Sequence, residues 1–195
     1  EWFEAGQLPV RELATELGEL GVLGMHLDGY GCAGMSATTY GLVCTELEAV
    51  DSGLRSFVSV QGSLSMFAIH AFGSEEQKQR WLPGFASGDI MFAIAMTEPG
   101  TGSDLANIST TAKLSEDGSH YILDGAKTFI TGGALADRVL VVARTAPFDA
   151  ANRRAGLSIL VVDTSSDGFT VGRKLEKIGL KASDTAELSF DSVKV

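Results

Sequence analysis

Positive charge is scarce in this chain of 195 residues: 15 Lys and Arg stand against 25 Asp and Glu, a formal net charge of −10. A basic surface wide enough to neutralise a run of phosphates is hard to build from that balance, so nucleic acid is not an expected partner. Cysteine is scarcer still. Cys32 and Cys44 do not make a disulfide scaffold, and no CxxC or Cys/His cluster suggests a metal site. A reducing compartment fits best. The opening Glu1-Trp2-Phe3-Glu4 has neither the basic nor the apolar region of a secretory leader. Residues 56–74 contain no charged side chain and approach the length of a membrane span, but Ser59, Gln61, Ser63, Ser65 and His70 would be costly against lipid. A buried helix, and no membrane span, is the expectation. Hydrophobic residues are plentiful at 45%, enough to bury a core, and only four prolines allow long unbroken helices.

The first ninety residues read as helical and the rest as β. Leu13, Leu17 and Leu20 recur at helical spacing over residues 9–20, and Leu42, Val43 and Leu47 do so over 38–50. Ser52-Gly53 breaks the chain before the neutral helix of residues 54–72. Ser74 with Gln77 three residues on predicts a capping box, and Pro83-Gly84 with Ser87-Gly88-Asp89 predicts the end of that helix. Beyond Ile90 the period shifts to strands: 90–96, 110–114, 121–123, 139–143, 157–162, 169–171 and 186–190, the second and third joined by a hairpin loop at 115–119. No helix-length pattern interrupts them, so an antiparallel sheet or barrel is expected, not βαβ units. The fold class is therefore α+β, with a partial helical domain over 1–90 and a β domain over 91–195. Residues 146–155 read as a polar, mobile loop.

Gly29-Tyr30-Gly31-Cys32-Ala33-Gly34 is a literal GxGxxG. A dinucleotide fingerprint needs a strand before it and a second parallel strand beyond. Here no strand is expected for about fifty residues by the strand criteria above, so the run reads as a glycine-rich connection between helices. A stronger candidate is Ala95-Met96-Thr97-Glu98-Pro99-Gly100-Thr101-Gly102-Ser103-Asp104, a strand end running into a loop of glycines, hydroxyls and carboxylates. Its glycines permit close approach of backbone to a ligand, and its amides can cradle a polar edge; a plain turn is the alternative. In Lys127-Thr128-Phe129-Ile130-Thr131-Gly132 a period of 2 puts Phe129 and Thr131 on one face, an aromatic wall beside a hydroxyl.

Together with Lys177-Ile178-Gly179-Leu180-Lys181-Ala182-Ser183-Asp184-Thr185-Ala186-Glu187-Leu188, these segments resemble, in order and spacing, three signatures of the acyl-CoA dehydrogenase family. Gly73-Ser74-Glu75-Glu76-Gln77-Lys78 extends the resemblance along nearly the whole chain. Two positions depart: Phe129 stands where the family usually has Trp, and Lys181 at a frequent Arg position, losing the two-pronged donor.

The resemblance implies FAD as cofactor and α,β-dehydrogenation of an acyl-CoA thioester, in fatty acid metabolism or amino acid degradation. It implies that residues 94–103 line the flavin on one side and Phe129, Ile130 and Thr131 on the other. Thr97 and Thr131 would donate to the ring's polar edge, and Ser103 would stand where flavin and acyl-CoA meet. Glu98 and Asp104 are expected to fix loop geometry. The family's C-terminal helical bundle, which carries its catalytic glutamate, is absent from these residues, so no catalytic residue is assigned and the 195 residues alone are expected to be inactive. Electron-transfer flavoprotein is the implied acceptor and a homotetramer or dimer the implied assembly, in the bacterial cytoplasm or the mitochondrial matrix. A flavoprotein oxidase of the same fold, or a non-enzymatic flavin- or CoA-binding paralogue, is the alternative. The glycine run and Val50-Asp51-Ser52-Gly53-Leu54-Arg55-Ser56 resemble the glutaryl-CoA dehydrogenase branch, where Arg55 and Ser56 would read a terminal carboxylate. The alternative for Arg55 is an ion pair with Glu46, Glu48 or Asp51.

Overall fold

The computed structural model describes residues 2–195. They form two compact units. The first contains the chain up to Phe92 together with Glu176–Asp184, and the second Ala93–Leu175 with Thr185–Val195. The segment Glu176–Asp184, which lies within the stretch read as the β domain, thus groups with the helices.

The helical unit begins with α1 (Trp2–Ala5) and α2 (Val10–Glu19), which buries Val10, Ala14 and Leu17 along one face. Leu20, expected on that face, is instead the C-cap residue and lies exposed, because the helix stops one residue before it. The GxGxxG run is a small hairpin, correcting the expectation of no early strand: β1 (Asp28–Gly29) pairs with β2 (Cys32–Ala33). Tyr30 (φ 54°) and Gly31 (φ 86°) both take the left-handed backbone that two-residue hairpin turns demand. The glycines there make a turn.

Helix α3 (Ala37–Val50) follows, N-capped by Ser36, and Asp51 then caps α4 (Ser52–Ser59) through the Gly53 amide at 2.7 Å. The expected neutral helix continues from α4 through a π-helical stretch, Val60–Met66, into α5 (Phe67–Phe72). Its polar residues are accommodated individually. Gln61, 1% exposed, donates to the Phe85 and Ile90 carbonyls at 3.3 and 2.8 Å and accepts from the Phe92 amide at 2.9 Å. A buried amide so satisfied costs little. Ser74 and Gln77 form the capping box of α6 (Glu75–Ala86). Pro83 does not end this helix, as expected, but sits inside it. The stop is Gly88, at φ 82°, where a Cβ would lie 2.2 Å from the Ala14 carbonyl oxygen.

The second unit is a mostly antiparallel, seven-stranded sheet. Its strands are β3 (Phe92–Ala95), β4 (Thr111–Leu114), β5 (Tyr121–Thr131), β6 (Arg138–Arg144), β7 (Leu157–Asp163), β8 (Phe169–Lys174) and β9 (Thr185–Lys194). The order is β3-β6-β4-β5-β9-β8, with β7 on the other side of β6. One contact departs from the antiparallel expectation: β4 meets β6 in parallel at Thr111 and Arg144. Ala93, Ala95, Leu123, Ile130, Val139 and Leu188 belong to its core. The expected hairpin between β4 and β5 is present, its loop pinned by Asp117, which accepts from the Ser115 and Ser119 hydroxyls and the Ser119 amide.

Candidate functional site

Alternation along β3 sends Ala93 and Ala95 into the core and leaves Ile94 half-buried on the opposite face. The chain then leaves the sheet and turns tightly. The Glu98 amide donates to the Thr101 carbonyl at 2.8 Å and the Thr101 amide to the Glu98 carbonyl at 3.2 Å, with Pro99 and Gly100 at the exposed tip. The Thr101 hydroxyl closes the next turn on the Asp104 carbonyl at 2.8 Å. Gly102 passes over Thr97, where a Cβ would lie 3.7 Å from the threonine methyl.

Glu98 is the anchor of this loop. Its carboxylate accepts from the Ser109 amide and hydroxyl, both at 2.7 Å, and from the Thr110 amide at 2.9 Å. It also pairs with Lys127 at 3.0 Å, and both side chains are almost wholly buried. Burial would raise its pKa, but the hydrogen bonds from Thr110 and Ser109 outweigh that and hold it down at about 2. Burial draws the Lys127 pKa below its ordinary value, against the pull of Glu98. Asp104 pairs with Arg153 at 2.5 Å across the loop's far end. Glu98 fixes loop geometry, as expected from the sequence, whereas the half-exposed Asp104 carboxylate ties the loop's end to Arg153 of the loop between β6 and β7.

The two candidate segments meet. The Thr128 amide donates to the Thr97 carbonyl at 2.9 Å, and Lys127 Nζ donates to the Met96 carbonyl at 3.0 Å as well as to Glu98. In β5 the pairing with β9 slips between Lys127 and Ile130, and Phe129 sits in the slip with a left-handed backbone, φ 60°. Such a bulge interrupts strict period-2 alternation and re-aims a side chain. Phe129 is 66% exposed, an unusual place for a phenyl ring, whereas Ile130 turns into the core and Thr131 is half-buried. Ala95 and Ile130 therefore offer a ligand backbone only. The hydroxyls of Thr97, Ser103 and Thr131 bond to no other described residue. An uncovered aromatic ring, unused hydroxyls and an open glycine loop fit a flat group with a polar edge.

Arg55 and Ser56 stand on α4 of the helical unit. Arg55 Nε donates to Glu48 at 2.6 Å, so the ion-pair alternative is realised with Glu48. Ser52 donates to the other Glu48 oxygen at 2.5 Å. Arg55 and Glu48 border a cavity of about 470 Å³ with Cys44, Thr45 and Ala49. The terminal guanidinium nitrogens of Arg55 bond to no described residue. Among the described residues no helix is long and apolar enough to cross a membrane.

Sequence reasoning named the segment containing Lys127 without giving the lysine a role; a lone cation in the strand Tyr121–Thr131 was the available signal. It gave no role to Arg144, whose buried guanidinium binds carbonyls of the loop's neighbourhood.

Two family models match. The acyl-CoA dehydrogenase N-terminal domain covers residues 1–89 and the acyl-CoA dehydrogenase middle domain residues 93–193. The chain is 42% identical over 201 residues to the mitochondrial long-chain specific acyl-CoA dehydrogenase of Sus scrofa, covering all of this chain and 44% of that protein. It is 39% identical to an acyl-CoA dehydrogenase of Bacillus subtilis (strain 168), covering 94% of this chain and 48% of that one. Among solved structures, glutaryl-CoA dehydrogenase from Mycobacterium smegmatis shares 55% identity with a TM-score of 0.91, over all of this chain and 48% of that one. A glutaryl-CoA dehydrogenase of the same organism in complex with FADH2 shares 52% identity with a TM-score of 0.90, over all of this chain and 47% of that one. The chain thus spans about half the length of the curated relatives it matches. With the two models matching residues 1–89 and 93–193, the chain belongs to the acyl-CoA dehydrogenase family.

Proposed function

We propose that this chain is the flavin-cradling part of an FAD-dependent enzyme that removes two hydrogens from the α and β carbons of an acyl-CoA thioester. The observation that carries the reading is the junction of the two segments, where Thr128 bonds Thr97 and Lys127 grips Met96 and Glu98 from the same strand. Bound FAD supplies the acceptor for the β-hydride. The chain's own contribution is positioning and electrostatics. Residues 94–103 form one wall, with Met96, Thr97, Gly100, Gly102 and Ser103 presented on the loop, and Phe129 covers the other side. The Thr97 and Thr131 hydroxyls donate to the polar edge, where added electron density is stabilised by fixed donors. Ser103 orients the thioester. The relatives named above, one of them in complex with FADH2, support the same reading. No residue of this chain is assigned as the base for the α-proton.

For the acyl group, a dicarboxylic thioester is the favoured substrate. Its support is Arg55, which borders a cavity while Glu48 occupies only Nε, together with the 55% identity to a glutaryl-CoA dehydrogenase. Ser56, one residue on, is the second proposed contact. Electron-transfer flavoprotein is the proposed acceptor and a homotetramer or dimer the proposed assembly, working in a bacterial cytoplasm or a mitochondrial matrix.

The test is flavin retention. The full-length protein should purify yellow with non-covalent FAD, and Thr131→Ala should weaken its retention up to about tenfold, the worth of one hydrogen bond. A protein that binds no FAD on titration, or a Thr131→Ala variant with unchanged retention and unchanged single-turnover flavin reduction, refutes the assignment.

A further inference from the structure

Arg144, at the end of β6, is 8% exposed, yet it has no carboxylate partner among the described residues. Its guanidinium is spent on backbone carbonyls of two separate segments. Nη2 donates to the Ala106 oxygen at 2.9 Å, and Nη1 to the Ala155 oxygen at 3.1 Å. Nη2 also reaches the Arg153 oxygen at 3.5 Å, and the Phe148 ring centre lies 5.2 Å from Cζ. Ala106 belongs to the short turn Leu105–Asn107 that follows the Glu98–Asp104 loop directly. Ala155, Arg153 and Phe148 belong to the polar loop that links β6 and β7. The Arg144 amide, meanwhile, donates to the Thr110 carbonyl at 2.9 Å, and the Thr110 amide is one of those that hold Glu98. Arg153 adds a second link from the same polar loop to Asp104. A burial this deep is expensive for a cation, and an acid would offset it more simply. What the planar fork gains here is geometry, since it can hold two backbone segments at a fixed spacing.

We infer that Arg144 is a positioning residue that latches residues 146–156 onto the candidate cofactor loop, so that the two order together. The inference rests on the flavin reading above. Ordering of the loop by FAD must then propagate to residues 146–156, which carry two trypsin sites, Arg153 and Arg154, both exposed. The same coupling acts in reverse on FAD affinity.

The experiment is limited trypsin digestion of the full-length protein, with and without saturating FAD, reading cleavage after Arg153 and Arg154 by mass spectrometry. In the wild type FAD should slow cleavage about tenfold, within the usual range of coupling between sites. In Arg144→Met the FAD-dependent ratio should fall to near one while flavin absorbance still reports binding. A merely structural loss would raise cleavage equally with and without FAD and leave the ratio intact, which overturns the inference. Should Arg144→Met not fold, Arg144→Lys keeps the charge but loses the planar fork that spans the Ala106 and Ala155 carbonyls. It should lower FAD protection at Arg154, and undiminished protection there overturns the inference. FAD bound to the wild type without protection overturns it alone, whereas no FAD binding overturns the flavin reading and the latch together.

Discussion

Each of the two units holds a close cation–carboxylate pair beside a candidate site, and the two pairs do opposite things. Lys127 and Glu98 lie 3.0 Å apart with side chains 0% and 3% exposed; Arg55 and Glu48 lie 2.6 Å apart with side chains 35% and 43% exposed. Distance alone would make the second pair the stronger. The surroundings reverse that. Lys127 also bonds the Met96 carbonyl, and Glu98 accepts three further bonds from Ser109 and Thr110, so the candidate loop is built around the pair. Arg55 keeps its terminal nitrogens unspent beside a cavity. A buried pair with every lone pair satisfied is architecture. A half-exposed pair with spare donors is available to a ligand.

The largest expected effect follows from removing one partner of the buried pair. Lys127→Met leaves the Glu98 carboxylate without its cation in a dry site, and should cost about 3–5 kcal/mol of stability, read as a lower urea midpoint. FAD retention should fall with it, because Met96 and Glu98 lose their common tether. A loss near zero would mean that the pair is not what holds the loop.

Acid should reach the same pair more gradually. Glu98 has its pKa lowered from 4.5 to about 2 in the folded state. The stability this contributes is present above the unfolded value and is lost as pH falls through the folded one. The urea midpoint should therefore drop between pH 4.5 and pH 2, and Glu98→Gln should flatten that limb of the profile. An unchanged profile in that variant would assign the acid limb to other carboxylates.

The contrast between the pairs also marks what could be read from sequence. Periodicity found the helices, the hairpin at Asp117 and the capping box at Ser74, because each is a local pattern with a local cause. Pro83 misled, since a proline late in a helix loses one hydrogen bond without ending it, while Gly88 supplies the backbone that does. The motif segments around Thr97 and Phe129 were legible, but not the slip in β5 that turns Phe129 outward, because register is set by the partner strand β9. Arg144, Lys127 and Gln61 escaped for a shared reason. Each is a polar side chain whose partners lie 20 or more residues away or are backbone carbonyls, and carbonyls leave no mark in a sequence.

The smallest effect on stability, and the sharpest on specificity, is expected at Arg55. Half-exposed ion pairs of this kind contribute little, because water solvates both partners well when they separate. Arg55→Met should therefore leave the urea midpoint close to wild type, in contrast to Lys127→Met. It should also spare flavin content, since neither Arg55 nor Ser56 belongs to the proposed flavin segments. The substrate is where the loss should appear. A terminal carboxylate entering the cavity would find the guanidinium's free nitrogens, and a charge-assisted hydrogen bond there is worth about 1.5–3 kcal/mol. The full-length enzyme should then prefer glutaryl-CoA over butyryl- or hexanoyl-CoA by roughly ten- to a hundredfold in kcat/KM, and Arg55→Met should erase that preference. If Glu48 instead holds the guanidinium for the fold alone, the variant will be less stable and the substrate ratio will not move. Equal use of the dicarboxylic and monocarboxylic thioesters by the wild type would end the carboxylate reading, and both pairs would then count as architecture.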